Sequence, residues 1–339
     1  MRKRRVLALM HPQHVPPDSL EGHDAREIAL WRATYDVVTC LRSQGHDVRP
    51  LGVQEDLAPI RELVEEYAPH IVFNLLEEFH WNVLYDHNIV AYLELLRAPY
   101  TGCSPRGLVL SRDKSVCKQL LSYHRIRVPA FQVFPYGRRV RRQRKLEFPL
   151  FVKSLTEHAS LGIAKASRVQ DDDELAERVA FIHRNVGTDA IAEQFIPGRE
   201  LYVGVVGNDR LQTFTPWELR AERLDPDQPF IATAKVKHDP EYQERLGIVQ
   251  GRAEDLPPDV EATIARTSKR IYRILGLSGY ARIDYRLDQS GRLYFLDANP
   301  NPDVGETEEL ASSAKHDGWS YARLLERIVA LGLQRARSE

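Results

Sequence analysis

Residues 279–303 read Gly-Tyr-Ala-Arg-Ile-Asp-Tyr-Arg-Leu-Asp-Gln-Ser-Gly-Arg-Leu-Tyr-Phe-Leu-Asp-Ala-Asn-Pro-Asn-Pro-Asp. Two alternating runs flank Asp288-Gln289-Ser290-Gly291, a turn sequence ending in glycine, which predicts a β-hairpin. With Ser290 and Gly291 as a two-residue turn, Asp284 faces Asp297 and Arg282 faces Asn299. A three-residue turn would break that register. Like charges opposed across strands are destabilising, so two carboxylates there call for a cation. Carboxylates with an amide oxygen and no soft ligand suit Mg²⁺ held against phosphates, with Mn²⁺ as its substitute. On the opposite faces, Ile283, Tyr285, Tyr294 and Leu296 suit a core. A surface hairpin with ordinary charges is the plainer alternative, but such hairpins rarely run on into Asn299-Pro300-Asn301-Pro302.

More stretches precede the hairpin in order. Pro99-Tyr100-Thr101-Gly102 is followed by Ser111-Arg112-Asp113-Lys114, then by Phe148-Pro149-Leu150-Phe151-Val152-Lys153. Ala192-Glu193-Gln194-Phe195-Ile196 then leads to Gly198-Arg199-Glu200. Each is weak alone; together, in order and spacing, they resemble the ATP-grasp ligases. Over about residues 70–332 the wider resemblance is to D-alanine–D-alanine ligases and their relatives. The resemblance implies ATP held by Lys114 and Lys153, an adenine hinge at Glu193, Gln194, Phe195 and Ile196, and a ribose carboxylate at Glu200. It implies Mg²⁺ on Asp284, Asp297 and Asn299. It makes Lys235 a second phosphate-contacting lysine and Arg282 the group that stabilises charge as an acyl phosphate is attacked. The implied reaction passes the γ-phosphoryl group of ATP to a substrate carboxylate, after which an amine attacks and phosphate leaves. The protein then mainly positions groups and neutralises charge.

The matched positions also have readings of their own. Lys114 opens a helix and Lys153 ends an apolar strand; both suit polyphosphate, or are two solvated lysines. Thr156–Gly162, with Ser160 inside it, is a small polar loop whose N–H groups could close over phosphates. Main-chain groups of Ile191–Ile196 could meet the adenine edge, or the run is a plain core strand. Glu200 could accept from ribose hydroxyls or be a surface carboxylate.

On the amino-acid side the pattern departs. Where the family carries a glycine-rich loop after the third strand, this chain has Asn74-Leu-Leu-Glu77-Glu78-Phe-His80-Trp81-Asn82. After the first strand it has His11-Pro-Gln-His14 in place of a Ser-x-Glu segment, and after the metal asparagine it reads Pro300-Asn301-Pro302-Asp303-Val304. Asp297 stands where the family usually has Glu. Glu77, Glu78, His80 and Asn301 therefore become substrate candidates: the acids for a cationic or amine-bearing substrate, His80 as a base. The alternative for residues 74–82 is a loop packed on its own domain, and Trp217 and Glu218 form a second candidate rim. The leading expectation is a carboxylate–amine ligase whose substrates are not two D-alanines, with small-molecule acid and amine as partners. A D-alanine–D-alanine ligase is the alternative, an ATP-binding regulator without ligation a second, and a ligase acting on a protein terminus also remains open.

These residues need scaffolds. In the first third, strands at Val6–Met10, Asp47–Leu51, Ile71–Leu75 and Pro99–Thr101 alternate with helices at Arg26–Ser43, Ile60–Tyr67 and Tyr85–Leu96. That alternation predicts a parallel, Rossmann-like sheet with ligands beyond the strands' carboxyl ends, near His11–Glu21 and Leu76–Asn82. Thereafter strands at Phe131–Phe134, Leu150–Lys153, Ala190–Phe195, Glu200–Val206, Gln212–Phe214, Ala281–Leu287 and Leu293–Asp297 predict an α+β arrangement. Helices at Arg112–Ser122, Asp173–His183, Pro258–Leu275 and Ser320–Leu331 cover them. The fold class is thus α/β plus α+β: a Rossmann-like pre-ATP-grasp domain at 1–110, then a two-lobed ATP-grasp unit at 111–196 and 197–335.

With 339 residues, 47 Lys+Arg against 48 Asp+Glu and a net charge of −1, the chain is unlike a basic nucleic-acid coat. Its basic run, Gly137–Lys145, reads as a solvated connection, or as a contact to an anionic partner. Only Val6–Met10 follows the basic start, too short for a membrane span or signal segment. Cys40, Cys103 and Cys117 share no metal spacing. No nucleic-acid or membrane partner is expected, the location is cytoplasmic with reduced thiols, and a homodimer is one open outcome for assembly.

Overall fold

The computed structural model describes residues 3–157, 161–225, 230–233, 236 and 239–337. Ser160 and Lys235 lie outside the described residues, so nothing structural is said of either. Strands β1 (Arg5–Met10), β2 (Asp47–Gly52) and β3 (Ile71–Asn74) form a parallel sheet in the order β2-β1-β3. β1 sits in the middle and is buried on both faces from Val6 to Met10, the pattern of a parallel strand covered on both sides. Tyr100 bridges Val72 in parallel where a short strand was expected. The crossover order puts the ends of β1 and β3 at a switch point, and residues 76–77 follow β3 there.

Strands β4 (Phe131–Phe134), β5 (Leu150–Ser154), β6 (Arg168–Val169) and β7 (Ala190–Gln194) build an antiparallel sheet in the order β4-β7-β5-β6. The Asp172–Asn185 helix covers it with Leu175, Val179 and Ile182. The basic run 137–145 connects β4 to β5 on the surface, and Arg142 pairs with Asp172 there. Strands β8 (Arg199–Val206), β9 (Gln212–Thr213), β10 (Trp217–Ala221), β11 (Ile248–Arg252), β12 (Tyr280–Leu287) and β13 (Leu293–Asn299) form the third sheet, ordered β11-β10-β8-β12-β13 with β9 beside β8.

Three local expectations change. The helix expected over Arg112–Ser122 begins later, as Lys114–Tyr123, and a further helix, Pro105–Arg112, precedes it. Asp113 separates them with φ −81° and ψ 104° and caps the second, accepting from Ser115 N–H and Val116 N–H. Trp217–Ala221 and Ile248–Arg252, which were not expected as strands, pair antiparallel. The hairpin turn is also longer than expected: Asp288 N–H bonds Arg292 O, so Gln289, Ser290 and Gly291 make a three-residue loop with Gly291 at φ +76°.

The C-terminal Tyr321–Arg335 helix packs Leu324, Leu325, Ile328 and Val329 against Val6, Ala8, Ile71 and Phe73 of the first sheet. The other face of that sheet, Leu7, Leu9 and Val72, shares a core with Ile264, Ile271, Tyr285 and Phe295. Gly332 makes the helix approach possible: a Cβ there would stand 2.4 Å from Tyr100 O. Among the described residues no helix is long and apolar enough to cross a membrane.

Candidate active site

The three-residue loop should move Asp284 off its partner, yet Asp284 does face Asp297, and Arg282 faces Asn299. A β-bulge restores the register. Tyr285 pairs with Phe295 while Asp284 pairs with Asp297, so Leu296 is the extra residue on β13. The bulge also exchanges faces: Phe295 is in the core at 1 % exposure, whereas Leu296 lines the cleft, overturning the expected core positions of Tyr294 and Leu296. Lys118, from the Lys114–Tyr123 helix, donates to the bulged Leu296 carbonyl at 2.6 Å and lies 5.1 Å from the Phe295 ring centre.

A cleft of about 580 Å³ opens between the sheets. Of the expected residues, Glu77, Lys114, Lys153, Glu193, Gln194, Phe195, Ile196, Glu200, Arg282, Asp284, Asp297, Asn299 and Asn301 line it. Glu78 and His80 are not part of its wall. Glu78 turns to His11, 3.7 Å away, and His80 sits edge-on to Phe79 with φ +54°. Glu218 is buried and paired with Arg199 at 2.7 Å, so it holds β8 to β10 and forms no rim.

Cations gather on one wall. Lys153 Nζ and Lys118 Nζ approach Glu193 Oε1 at 3.2 and 3.4 Å, ion-pair distances at which that oxygen makes no well-formed hydrogen bond. Burial, the largest influence, works against the charge of both lysines; Glu193 and Asp297 together outweigh it at Lys153, raising that ammonium, but not at Lys118, which is lowered. Lys114 donates to Glu157 O at 2.7 Å and stands 3.8 Å from Asp297. Burial brings its ammonium down to about 8, with Asp297 opposing. Lys114 and Lys153 both line the cleft, where their ammonium groups can meet a polyanion.

The hairpin forms the facing wall. Arg282 grips Asp284 through two bonds, 2.9 and 3.1 Å, and reaches Glu309 at 3.2 Å. Burial opposes the Arg282 charge, and the two carboxylates outweigh it. No three His, Cys, Asp or Glu side chains among the described residues gather tightly enough to hold a metal by themselves. What the hairpin offers is two carboxylates and the Asn299 amide, all on the cleft wall. Hard oxygens with room for further ligands fit a divalent cation completed by phosphate oxygens. In the described arrangement Arg282 and Lys114 supply the compensating charge.

At the hinge, Gln194 N–H and Phe195 N–H are already used, bonding Ala130 O at 2.7 Å and Pro149 O at 2.9 Å. Among the described residues Ile196 N–H has no such backbone acceptor, which leaves it as the hinge donor for a flat ring. Asn301 accepts Cys103 N–H at 2.8 Å and rests against Gly102, where a Cβ would fall 2.4 Å from its oxygen. Its amide therefore fixes the 99–102 loop as well as facing the cleft. Sequence reasoning missed Lys118 and Arg286. Lys118 lay unremarked within the expected helix, one turn past Lys114. Arg286 could have been found at two residues from Asp284, where strand alternation gives one face.

A family model described as "D-ala D-ala ligase C-terminus" matches residues 120–330. The chain is 30% identical over 306 residues to D-alanine--D-alanine ligase B of Chromobacterium violaceum, covering 90% of this chain and 92% of that protein. It is 33% identical over 249 residues to a D-alanine--D-alanine ligase of Bordetella petrii, covering 72% of this chain and 71% of that one. Its fold is like that of the D-alanine--D-alanine ligase from Bacillus anthracis solved in complex with ATP, with a TM-score of 0.75 at 20% identity over 99% of both chains.

Proposed function

Since the chain belongs to the D-alanine–D-alanine ligase family, we propose an assignment of its residues to the steps of an ATP-dependent carboxylate–amine ligation. The enzyme is an ATP-grasp ligase, joining a carboxylate to an amine through an acyl phosphate with release of ADP and phosphate. On this reading residues 1–110 form a Rossmann-like domain, 111–196 one lobe of the grasp and 197–335 the other.

ATP lies with its base at Ile196 between apolar side chains, its ribose at Glu200 and its phosphates over Lys114 and Lys153. Mg²⁺ would be held by Asp284, Asp297 and Asn299, and when bound it would neutralise phosphate charge. Lys153 and Lys114 hold the phosphate oxygens in line, since phosphoryl transfer asks a protein for position and charge more than for covalent help. Arg282, already fixed by Asp284 and Glu309, presents a rigid guanidinium where charge develops during attack on the acyl phosphate. Ser160 and Lys235 are assigned to the phosphates on the resemblance alone.

The observation that carries this reading is Asp284 directly opposite Asp297 on the cleft face, with the buried lysines across from them. Asp297→Asn is expected to abolish ATP turnover while leaving the thermal unfolding profile unchanged, measured by phosphate release and by melting. Wild-type turnover in that variant would remove the metal assignment.

For substrates, the cleft end bearing Glu77 and Asp303 suits an amine-bearing partner, and the departures at residues 74–82 and 300–304 are the ground for a partner other than a pair of D-alanines. D-alanine–D-alanine ligation is the second reading, favoured by the names of the curated relatives. Phosphate release stimulated by D-alanine alone would promote it. The same reading places the enzyme in the cytoplasm and allows a homodimer.

A further inference from the structure

Arg286 is a buried cation, 7 % exposed, in the nucleotide end of the cleft, and nothing in the reaction outlined above uses it. It follows Arg282 and Asp284 at two-residue steps on β12, so all three side chains leave the same face of the strand. Its cross-strand partner on β8 is Glu200. The guanidinium meets Glu200 Oε2 at 2.8 Å, Gly198 O at 2.9 Å and Phe230 O at 3.3 Å, and lies 5.9 Å from the Phe195 ring centre. Tyr202 donates to the other carboxylate oxygen, Oε1, at 2.9 Å. Glu200 is therefore gripped at both oxygens, each with a second lone pair left for another donor.

We propose that Arg286 is the positioning residue for ribose recognition: it fixes the Glu200 carboxylate so that its remaining lone pairs accept from the ribose hydroxyls. The inference rests on the reading of Glu200 as the ribose carboxylate. The physical need is specific. A lone carboxylate close to a nucleotide's phosphates would be repelled and would swing toward water, whereas a fork held by three acceptors cancels its charge and locks its rotamer. The fork also ties Glu200 to the hinge turn. Gly198, at φ +139°, sits so close to β12 that a Cβ there would fall 2.1 Å from Leu287 O, which brings its carbonyl within reach of Arg286. One side chain thus fixes ribose carboxylate and hinge in a common frame.

The test needs no acceptor substrate. Affinities for ADP and 2′-deoxy-ADP are measured by titration calorimetry on wild type, Arg286→Met, Arg286→Lys and Glu200→Ala. Wild type is expected to prefer ADP by on the order of tenfold, the size of a charge-assisted hydrogen bond. Arg286→Met should bring the ratio below about threefold by weakening ADP alone, and Arg286→Lys, which keeps charge but loses the fork, should fall between. A purely structural role would weaken both nucleotides equally and leave the ratio unchanged. If Glu200→Ala loses the preference while both Arg286 variants keep it, Arg286 is not the positioning residue and the ribose reading survives. If Glu200→Ala keeps the preference, or wild type has none, the ribose reading and this proposal fall together. Should Arg286→Met not fold, Arg286→Lys with an unchanged ratio overturns the proposal by itself.

Discussion

Glu77 projects into the cleft, open to its solvent yet enclosed by protein, and burial with the nearby Asp303 carboxylate pushes its carboxyl up to about 7. The fold therefore favours the neutral acid. Its contribution to stability is present below the ordinary carboxylate range and is lost as pH rises through about 7. Binding runs the other way, because only the ionised form attracts an ammonium group. With Glu77 as the amine subsite, the KM of the amine substrate should fall as pH rises through about 7, and Glu77→Gln should remove that limb while sparing kcat. A pH profile of phosphate release at subsaturating amine checks this, and an unchanged limb in Glu77→Gln would discard the assignment. Sequence reading reached Glu77 because a pattern was broken there. It could not separate Glu77 from Glu78 and His80, whose directions depend on a loop with left-handed residues at His80 and Trp81.

The hairpin shows why elements were easier to read than their joints. Alternation and a Gly-ended turn sequence specify two strands, and the Asp284–Asp297 pairing was expected and is found. Two deviations cancel to produce it, however: an extra loop residue and an extra residue at Leu296. Neither has a local signal, since a bulge depends on what lies beneath it, here the Lys118 ammonium on the Leu296 carbonyl. The same holds for the junction at Asp113, whose extended backbone ends one helix at Arg112 and starts the next at Lys114, two residues after the expected start. That break puts Lys114 at the first position of its helix with its amine toward residues 155–157. Asp113→Ala should cost about 1 kcal/mol of stability through the lost cap. It should also weaken ADP binding severalfold, because Lys114 loses its fixed starting angle. Denaturant melts and calorimetry check the pair of effects; weaker stability with unchanged ADP affinity would show that the cap serves the fold alone.

The near-zero net charge looks uninformative on the sequence, and the structure explains the average: buried lysines face a carboxylate-rich hairpin across one cleft. The cleft is held by elements far apart in the chain. The C-terminal helix packs on the first sheet, and Arg335 bonds Gly102 O and Tyr100 O at 2.7 and 2.9 Å in the loop that Asn301 also fixes. Gly332→Val should therefore drive the helix off Tyr100 and destabilise the protein by about 1–3 kcal/mol, with lost hydrogen-exchange protection in both β3 and the helix. Unaltered protection would mean that the two ends are not coupled. The most direct test of the whole account is a phosphate-release screen of paired carboxylates and amines with Mg·ATP, with products identified by mass spectrometry. ADP, phosphate and an amide are expected from at least one acid–amine pair, and none of the three with Asp297→Asn. ATP bound with no ADP formed in any mixture would contradict it.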